Sequence, residues 1–429
     1  MIFVGLVCLV ASMPLSIAAM NISLFICLLL SLWDRAGGSG LGWKRTPIDE
    51  PLMALIALTI LSSLFGIHPA KSILRLGAIW IFLVYYFYFW YSSSEKKMRR
   101  LVYILCGVAS LVSVLAVLQH FTGLVLLGRT PEPTTGFSAI SLLDSSIGPA
   151  TPVTGGGTRY IAKGTFSHHQ TFANIYLMIF CMAFSLAVGA RTAKSRLVLA
   201  ASTTLLGLAV FFTYTRGIWL ATPAAILIIA FFRSRRALVT VCVACLVIGL
   251  LLVVIPSTFS DRARTIFTLD SNLDRVAIWQ TSWAMLRDHP ILGIGPGNYT
   301  QLQKEYLPIM ETGLKVSKAH AHNTYLQMAV ERGFLTVVAF FWLWYVVLRI
   351  GFTSLWFLKG MEGFRLAAIR GAVAGVIGFL IDGLFQNNFG DTEVTVLLFF
   401  LVAIVVGLRV RQVERENLAV PGVVGNAPA

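Results

Sequence analysis

Apolar runs of about twenty residues recur along almost the whole chain, and they limit the possible folds more than any other feature. A run of that length is what an α-helix needs to cross the hydrocarbon core of a bilayer. Of the 429 residues, 57% are hydrophobic and 12% are charged, compared with roughly 25% charged in soluble domains. The sequence therefore predicts an all-α integral membrane protein with about twelve transmembrane helices in one polytopic domain, residues 1–429. The predicted spans lie near residues 2–15, 17–33, 51–66, 77–92, 101–121, 170–189, 197–214, 217–232, 237–255, 334–350, 367–385 and 393–409.

The first two runs allow two interpretations. Pro14, Asn21 and Ser23 interrupt them, so a tight hairpin of two spans competes with one long helix. Residues 1–30 carry no charge, and a secretory signal needs a basic segment before its apolar part. We therefore expect this region to remain in the mature fold.

Basic residues indicate how the spans are oriented, because Lys and Arg in short loops are retained on the cytoplasmic side. If the first hairpin consists of two spans, every cluster of basic residues lies on the cytoplasmic side. The clusters are Arg35, Lys44 and Arg45; Lys96, Lys97, Arg99 and Arg100; Arg191, Lys194 and Arg196; Arg233, Arg235 and Arg236; Arg349, Lys359 and Arg365; and Arg409, Arg411 and Arg415. Both termini and the tail at 410–429 would then be cytoplasmic.

This arrangement also explains the net charge of +15 without nucleic acid as a partner, because the basic residues lie at the ends of apolar runs rather than on one soluble face. The two long polar segments, 122–168 and 257–333, would both face outward, away from the cytoplasm. We expect membrane lipids to surround the apolar segments.

The second long loop contains a predicted amphipathic helix. Residues 271–274, Ser-Asn-Leu-Asp, offer capping side chains, and Val276, Trp279, Trp283 and Leu286 follow on one helical face. This face predicts either a helix lying at the membrane interface or one packed on the protein's own surface. His289-Pro290 should end the helix. The stretch Gly293-Ile294-Gly295-Pro296-Gly297-Asn298 that follows predicts turns rather than a nucleotide-binding loop, because it lacks the GxGxxG spacing and a flanking strand.

His322 is the first candidate for chemistry, where this loop re-enters the membrane. An imidazole with an ordinary pKa of about 6.5 can accept a proton near neutral pH, which suits a general base that deprotonates a sugar hydroxyl. His320 is a rival, and a helix starting here would put the two rings on different faces. A capping role is the alternative for either. A zinc site is not favoured, because no further ligands lie at a suitable spacing, and neither a metal nor another cofactor is expected.

Arg216 and Arg275 form a second candidate group. Arg216 separates two apolar runs at the predicted outer boundary, and Arg275 begins the predicted interfacial helix. Guanidinium groups bind phosphate through two parallel hydrogen bonds, so two converging arginines could hold a lipid diphosphate. The alternative is that each side chain extends to lipid headgroups.

Amides and other polar side chains near the predicted outer boundary are candidates for sugar recognition, although such residues also cap helices. The candidates are His169, Gln170, His320, Asn323, Gln386 and Asp391.

Several motifs resemble the O-antigen ligase and polymerase superfamily. The ligase pattern is a His, then Asn, Ser or Gln, nine residues, Gly, two residues, and Gly, Thr or Tyr; here His322-Asn323 is followed after nine residues by Gly333-Phe334-Leu335-Thr336. The stretch 288–299 is similar to the segment that precedes this His in the superfamily. Similarity extends to Thr215-Arg216-Gly217 and to Gly164-Thr165-Phe166, while the chain departs from the usual Pro-Asn or His-Asn at His169-Gln170.

The resemblance implies an inverting, metal-independent glycosyltransferase of the membrane-embedded GT-C type that acts in lipopolysaccharide biosynthesis. The donor would be O-antigen linked to undecaprenyl diphosphate, and the acceptor would be the lipid A core. Carried over to this sequence, His322 would be the base, while Arg216 and Arg275 would bind the donor diphosphate.

Three alternatives remain at this point. A polymerase of the same superfamily would use a second donor molecule as acceptor. A protein-glycosylating relative is less expected, because about twenty residues follow Arg409 and leave little room for a soluble domain. A flippase of lipid-linked sugar would be expected to carry ionisable residues deep within its spans, and Arg370 and Asp382 are the exceptions to spans that otherwise nearly lack them.

Overall fold

The protein is described by a computed structural model. It covers residues 1–37, 45–92, 94–123, 153, 159–254, 259–261, 273–306, 320–358 and 363–419. Within these ranges the chain is helical, and no β-strand is present. The α-helices are α1 (Ile2–Ser12), α2 (Ile17–Ala36), α3 (Asp49–Phe65), α4 (Pro69–Arg75), α5 (Leu83–Tyr91), α6 (Glu95–Thr122), α7 (His169–Val188), α8 (Ala193–Phe211), α9 (Arg216–Phe231), α10 (Arg235–Val254), α11 (Leu273–Asp288), α12 (Tyr299–Tyr306), α13 (Thr324–Phe357), α14 (Phe364–Asp382) and α15 (Thr392–Ala419), with a 3-10 helix at Leu76–Phe82 between α4 and α5.

Each of the twelve predicted apolar segments coincides with helix in the structure. Eight helices of the described residues are long and apolar enough to cross a membrane, counting the continuous stretch Pro69–Tyr91 as one. The prediction of an α-helical, multi-pass integral membrane protein is therefore confirmed. Helices α1 and α9 are shorter, at 11 and 16 residues, and the count of twelve crossings stays a prediction.

The first apolar stretch forms two helices rather than one. Residues 13–16 separate α1 from α2, and the Ser16 side chain accepts a hydrogen bond from the Ala19 N–H (3.4 Å) to cap α2. The Tyr176 hydroxyl donates to Pro14 O at 3.1 Å, and the Thr165 hydroxyl donates to Leu15 O at 2.6 Å. The turn is thus held by contacts from other parts of the bundle, which the local sequence alone does not reveal.

Helices α7, α14 and α15 form the centre of the bundle. In the most apolar part of these three helices, 89%, 72% and 89% of the residues are buried, compared with 22% in α2 and 28% in α8. Glycines allow α14 to approach α7 closely: a Cβ on Gly371 would lie 2.9 Å from Met182 Cα, and one on Gly375 would lie 3.4 Å from Met178 Cα. Close approach at small residues gives van der Waals contact between spans, where lipid supplies no hydrophobic driving force.

Helix α13 begins ten residues earlier than the predicted span, which corrects the end of the 257–333 loop. The reason is a break at Gly333, whose φ of 79° and ψ of 169° separate a first helical segment from the long apolar one. The Phe334 N–H donates to Pro290 O at 2.9 Å, and a Cβ on Gly333 would overlap Ile291 O. Because Gly333 has no side chain, Pro290 and Ile291 can lie directly against α13 at this point.

Other predicted boundaries can be compared directly. Helix α6 ends at Thr122 and α7 begins at His169, as the 122–168 loop requires. Helix α11 ends at Asp288, as predicted from His289-Pro290, whereas the proposed capping residues Ser271 and Asn272 lie outside the described residues. Helix α15 continues to Ala419, so residues 410–419 of the predicted tail extend the last helix.

Candidate active site

The predicted apolar stripe of α11 divides between the two interpretations. Val276 is 39% exposed and Trp283 is 58% exposed, which is suited to a membrane interface. Trp279 donates a hydrogen bond to Ala321 O, and Leu286 packs against the core. Ile278 and Met285 on the other side are buried in a small core with α12 and the start of α13.

Arg216 and Arg275 line the same cavity. It has a volume of about 240 Å³ and lies between the first turn of α9, the first turn of α11 and Phe385. Arg216 is the first residue of α9, and Gly217 follows it because a larger side chain would overlap the Asp382 carboxylate. Two guanidinium groups from helices far apart in sequence thus converge on one space large enough for a phosphate group.

His322 lies immediately before α13, next to the helix that carries Arg275. The Trp279 indole of α11 donates a hydrogen bond to Ala321 O at 3.0 Å, and the Ala321 N–H donates to the Gln327 side chain at 2.7 Å. These two hydrogen bonds hold the backbone carbonyl and N–H of Ala321, the residue before His322. His322 itself has a φ of 49°, a left-handed conformation that few residues other than glycine adopt.

The His322 side chain is a neutral imidazole near pH 7. Burial lowers its pKa below the ordinary value of 6.5, the positive charge of Arg275 lowers it further, and a hydrogen bond with the Gln386 side chain acts in the opposite direction. Its Nδ1 atom is buried and has no hydrogen-bond partner among the described residues. Because the ring is neutral, one of its two nitrogens is unprotonated and can accept a proton.

His320 packs against His322 instead of lying on a separate helical face. Both residues precede the helix, so the predicted separation on its faces does not apply. The ring centroids are 4.2 Å apart, and the His322 N–H donates to His320 Nδ1 at 3.2 Å. Burial, with the charges of His322 and Arg275, lowers the pKa of His320 to about 4. His320 is therefore neutral, and one of its nitrogens already supports the His322 backbone.

The loop between α14 and α15 holds the start of α13 in place. The Thr324 N–H donates to Gly383 O at 2.8 Å, and the Thr324 hydroxyl donates to Gln386 O at 2.9 Å. The Asn388 amide connects this loop to α7 through the Asn174 side chain at 3.1 Å. Because α7 and α14 are central helices, His322 rests on the most buried part of the bundle.

Asn323 and Gln386 differ in how much of their side chains remains for a ligand. Asn323 caps α13: its Oδ1 accepts from the Leu326 N–H at 3.0 Å and its Nδ2 donates to Leu384 O at 3.1 Å. Both halves of its amide are occupied, as the capping alternative predicted. Gln386 is buried, and its side chain meets the His322 ring.

His169, Gln170 and Asp391 lie elsewhere, around the first turn of α7. The Thr171 hydroxyl donates to Asp391 Oδ2 at 2.7 Å. Burial raises the pKa of Asp391, and this hydrogen bond opposes the shift. The sugar-recognition role suggested for these three residues stays a prediction.

Sequence reasoning missed how Trp279 and Gln327 position His322. Trp279 was predicted to lie on an apolar face at the membrane interface or on the protein's surface, without a hydrogen-bonding role, and Gln327 was not singled out. The available signal was weak: an amide one turn into a predicted helix can accept from a backbone N–H in the segment before it. Among the described residues, no group of three His, Cys, Asp or Glu side chains is placed to hold a metal ion.

The fold and this site describe a membrane-embedded protein with an imidazole beside an arginine-lined cavity. Residues 199–341 match the model of a family described as O-antigen ligase. That range contains Arg216, Arg275, His322 and Gly333, so the predicted resemblance to the O-antigen ligase family is confirmed. The match supports a glycosyl-transfer enzyme of the ligase and polymerase superfamily. A search of curated proteins finds no relative that matches this chain.

Proposed function

We propose that the protein is an O-antigen ligase. It would transfer a glycan from undecaprenyl diphosphate to a hydroxyl of the lipid A core, with inversion and without a metal ion, at the periplasmic face of the bacterial inner membrane. The observation that carries this proposal is that Arg216 and Arg275 line one cavity beside a half-buried, neutral His322.

In the proposed reaction, the acceptor hydroxyl oxygen forms a bond to the anomeric carbon of the donor sugar. The bond between that carbon and the diphosphate oxygen breaks, and its electron pair leaves with the diphosphate. His322 takes the hydroxyl proton, and Arg216 and Arg275 hold the departing negative charge. Because attack and departure occur on opposite sides of one carbon, the product has the inverted configuration.

The orientation rests on the distribution of basic residues, with both termini in the cytoplasm and twelve crossings. The exposed Trp283 of α11 fits this arrangement, because amphipathic aromatic rings are favoured at the level of lipid headgroups. A donor whose lipid tail lies in the bilayer could then present its diphosphate to Arg216 and Arg275 without leaving the membrane.

The test uses purified, full-length protein in lipid nanodiscs with a radiolabelled lipid-linked donor. Two acceptors are offered in parallel: lipid A core, and a second donor molecule. We expect label on the lipid A core and no extended donor. Extended donor alone would identify a polymerase. Absence of both products, with label transported across the membrane when the same protein is reconstituted in sealed vesicles, would identify a flippase.

A further inference from the structure

A second cavity carries arginines that the proposed reaction does not use. It has a volume of about 100 Å³ and lies between the 3-10 helix, α3 and α13. Arg75 and Arg332 are the charged residues that line it, and Ile79, Phe82 and Phe389 supply part of its apolar wall. A volume well below the roughly 300 Å³ of small-molecule pockets admits a compact group rather than a sugar ring.

Arg75 and Arg332 share one carboxylate as their charge partner. Glu331 interacts electrostatically with both arginines, and its Oε1 atom also accepts from the Gly297 N–H at 2.9 Å. The Arg332 Nε atom has no hydrogen-bond partner among the described residues. Two positive charges therefore face one negative charge beside a largely apolar cavity. This excess positive charge favours binding of a further anion.

The two arginine-lined cavities are separate but closely related in space. They share no lining residue, yet the loop between α14 and α15 contributes to both, with Phe385 in the first and Phe389 in the second. Arg332 lies eight residues after Thr324 on α13, a rise of about 12 Å along the helix. The second cavity is therefore built on the same helix that His322 precedes.

We propose that Arg75 and Arg332 bind a phosphate group of the acceptor lipid, with the lipid's apolar part against the 3-10 helix and α3. The identification of this lipid as the acceptor rests on the proposed function. A donor is already accommodated by Arg216 and Arg275, so a second phosphate site on the other side of the α14–α15 loop fits the second substrate. Planar guanidinium groups bind phosphate through paired hydrogen bonds, which a single lysine does not provide.

The first experiment measures binding, independently of turnover. Full-length protein in nanodiscs of zwitterionic phosphatidylcholine is titrated with fluorescent lipid A that carries both phosphates, and with the same lipid after dephosphorylation. Arg75→Gln and Arg332→Gln should each weaken binding of the phosphorylated lipid about ten-fold or more, and should leave binding of the dephosphorylated lipid unchanged. Lys71→Gln, on the same helix as Arg75 but outside the cavity lining, should change neither. Equal affinity of wild type and both arginine variants would overturn the proposal.

Substitutions at Arg75 separate an effect on binding from an effect on folding. Arg75 is exposed, so Arg75→Gln and Arg75→Lys should keep the wild-type melting temperature even if Arg332→Gln does not fold. We expect Arg75→Lys to recover only part of the affinity, because it keeps the charge and loses the planar fork. Full recovery by lysine would contradict paired hydrogen bonding at this site.

A competition arm distinguishes the acceptor from an ordinary membrane phospholipid. Phosphatidylglycerol should displace the fluorescent lipid A only at a large excess; displacement at equal concentration would overturn the acceptor assignment. In the turnover assay, Arg75→Gln should raise KM for the lipid A core about ten-fold and leave kcat and the donor KM unchanged. If the wild type binds phosphorylated lipid A through these arginines but transfers no glycan, the proposed function fails while the site stands.

Discussion

The molecule places two arginine pairs in two cavities, and their surroundings differ. Neither cavity has a histidine in its lining. Arg275 of the first cavity, however, is close enough to His322 to lower the pKa of its half-buried imidazole. The cavity of Arg75 and Arg332 has a largely apolar wall. The same side-chain chemistry can hold phosphate in both, but only the first lies beside a neutral imidazole. The difference indicates that the first cavity is suited to reaction and the second to binding.

The comparison also shows what supports each pair. The first cavity is held by a polar network that runs from Trp279 through Ala321 to Gln327. The second is held by the turn at 293–297, where the Gly295 N–H donates to Glu331 O at 2.9 Å. Both supports end on the first segment of α13. A disturbance of that segment should therefore affect both cavities, whereas single substitutions in either lining should separate them.

The largest effect is expected from loss of the imidazole. His322→Ala should lower kcat by about 10² to 10⁴-fold, because general-base assistance contributes that much, while the melting temperature changes little. The measurement is single-turnover transfer from labelled donor to lipid A core. His68→Ala, an exposed histidine at the start of α4, is the control and should retain full activity. Near-normal transfer by His322→Ala would contradict its role as base.

The two arginine pairs should differ in which kinetic constant they change. Arg216→Gln and Arg275→Gln should each lower kcat about 10²-fold, because they remove a donor that stabilises the leaving charge. Arg75→Gln should act on the acceptor KM alone. Steady-state kinetics with both substrates varied gives the separation. Arg287→Gln, exposed in the last turn of α11, serves as the matched control for Arg275. A drop in kcat for Arg75→Gln equal to that of Arg275→Gln would remove the distinction between the cavities.

Gly333 connects the supports of both cavities, so its substitution should destabilise the whole region. Gly333→Ala would introduce a Cβ that overlaps Ile291 O at a positive φ, and we expect a loss of about 2 kcal/mol or more in the free energy of unfolding. Gly107→Ala places a Cβ in open space within α6 and should be neutral. Denaturation in mild detergent, followed by tryptophan fluorescence, compares the two. Equal stability of both variants would show that the break in α13 is not needed.

The smallest expected effect is a shift in pH dependence. A base must be unprotonated, so activity falls as pH drops through the pKa of His322, and burial with the Arg275 charge lowers that pKa below 6.5. The acid limb of kcat/KM should therefore lie below pH 6.5. Arg275→Gln removes the nearby positive charge, which should raise the pKa and move the limb to higher pH by a fraction of a unit. An unchanged limb in Arg275→Gln, with Arg287→Gln as reference, would mean that the two groups are not coupled.

Much of the helical framework could be predicted, because a bilayer requires long apolar helices and these leave a direct trace in the sequence. All twelve apolar runs form helix, including α1 and α2 as separate elements. The start of α13 was missed, because residues 324–332 are too polar and too short to register as a span. Its first turn depends on the Asn323 cap and on contacts with residues 383–388, which lie far away in sequence.

The candidate site was predictable in its residues and less so in its geometry. His322, Arg216 and Arg275 stood out because ionisable groups interrupt or border apolar runs, and because they fall in recognisable motifs. Their convergence could not be derived from spacing, since 59 positions separate Arg216 from Arg275 (275 − 216). The relation between His320 and His322 was also missed, because it depends on the non-helical backbone before α13, with His322 at a φ of 49°, rather than on helical periodicity.

By itself, the sequence determined that this chain is a helical membrane protein with an unusual histidine and two boundary arginines, because hydropathy and residue type act locally. Only the tertiary structure decided which cations share a cavity, how far the imidazole is buried, and where a second arginine pair lies. Those properties depend on the packing of α9, α11 and α13 around the buried pair α7 and α14. Contacts between distant segments set burial and electrostatic environment, and no local pattern records them.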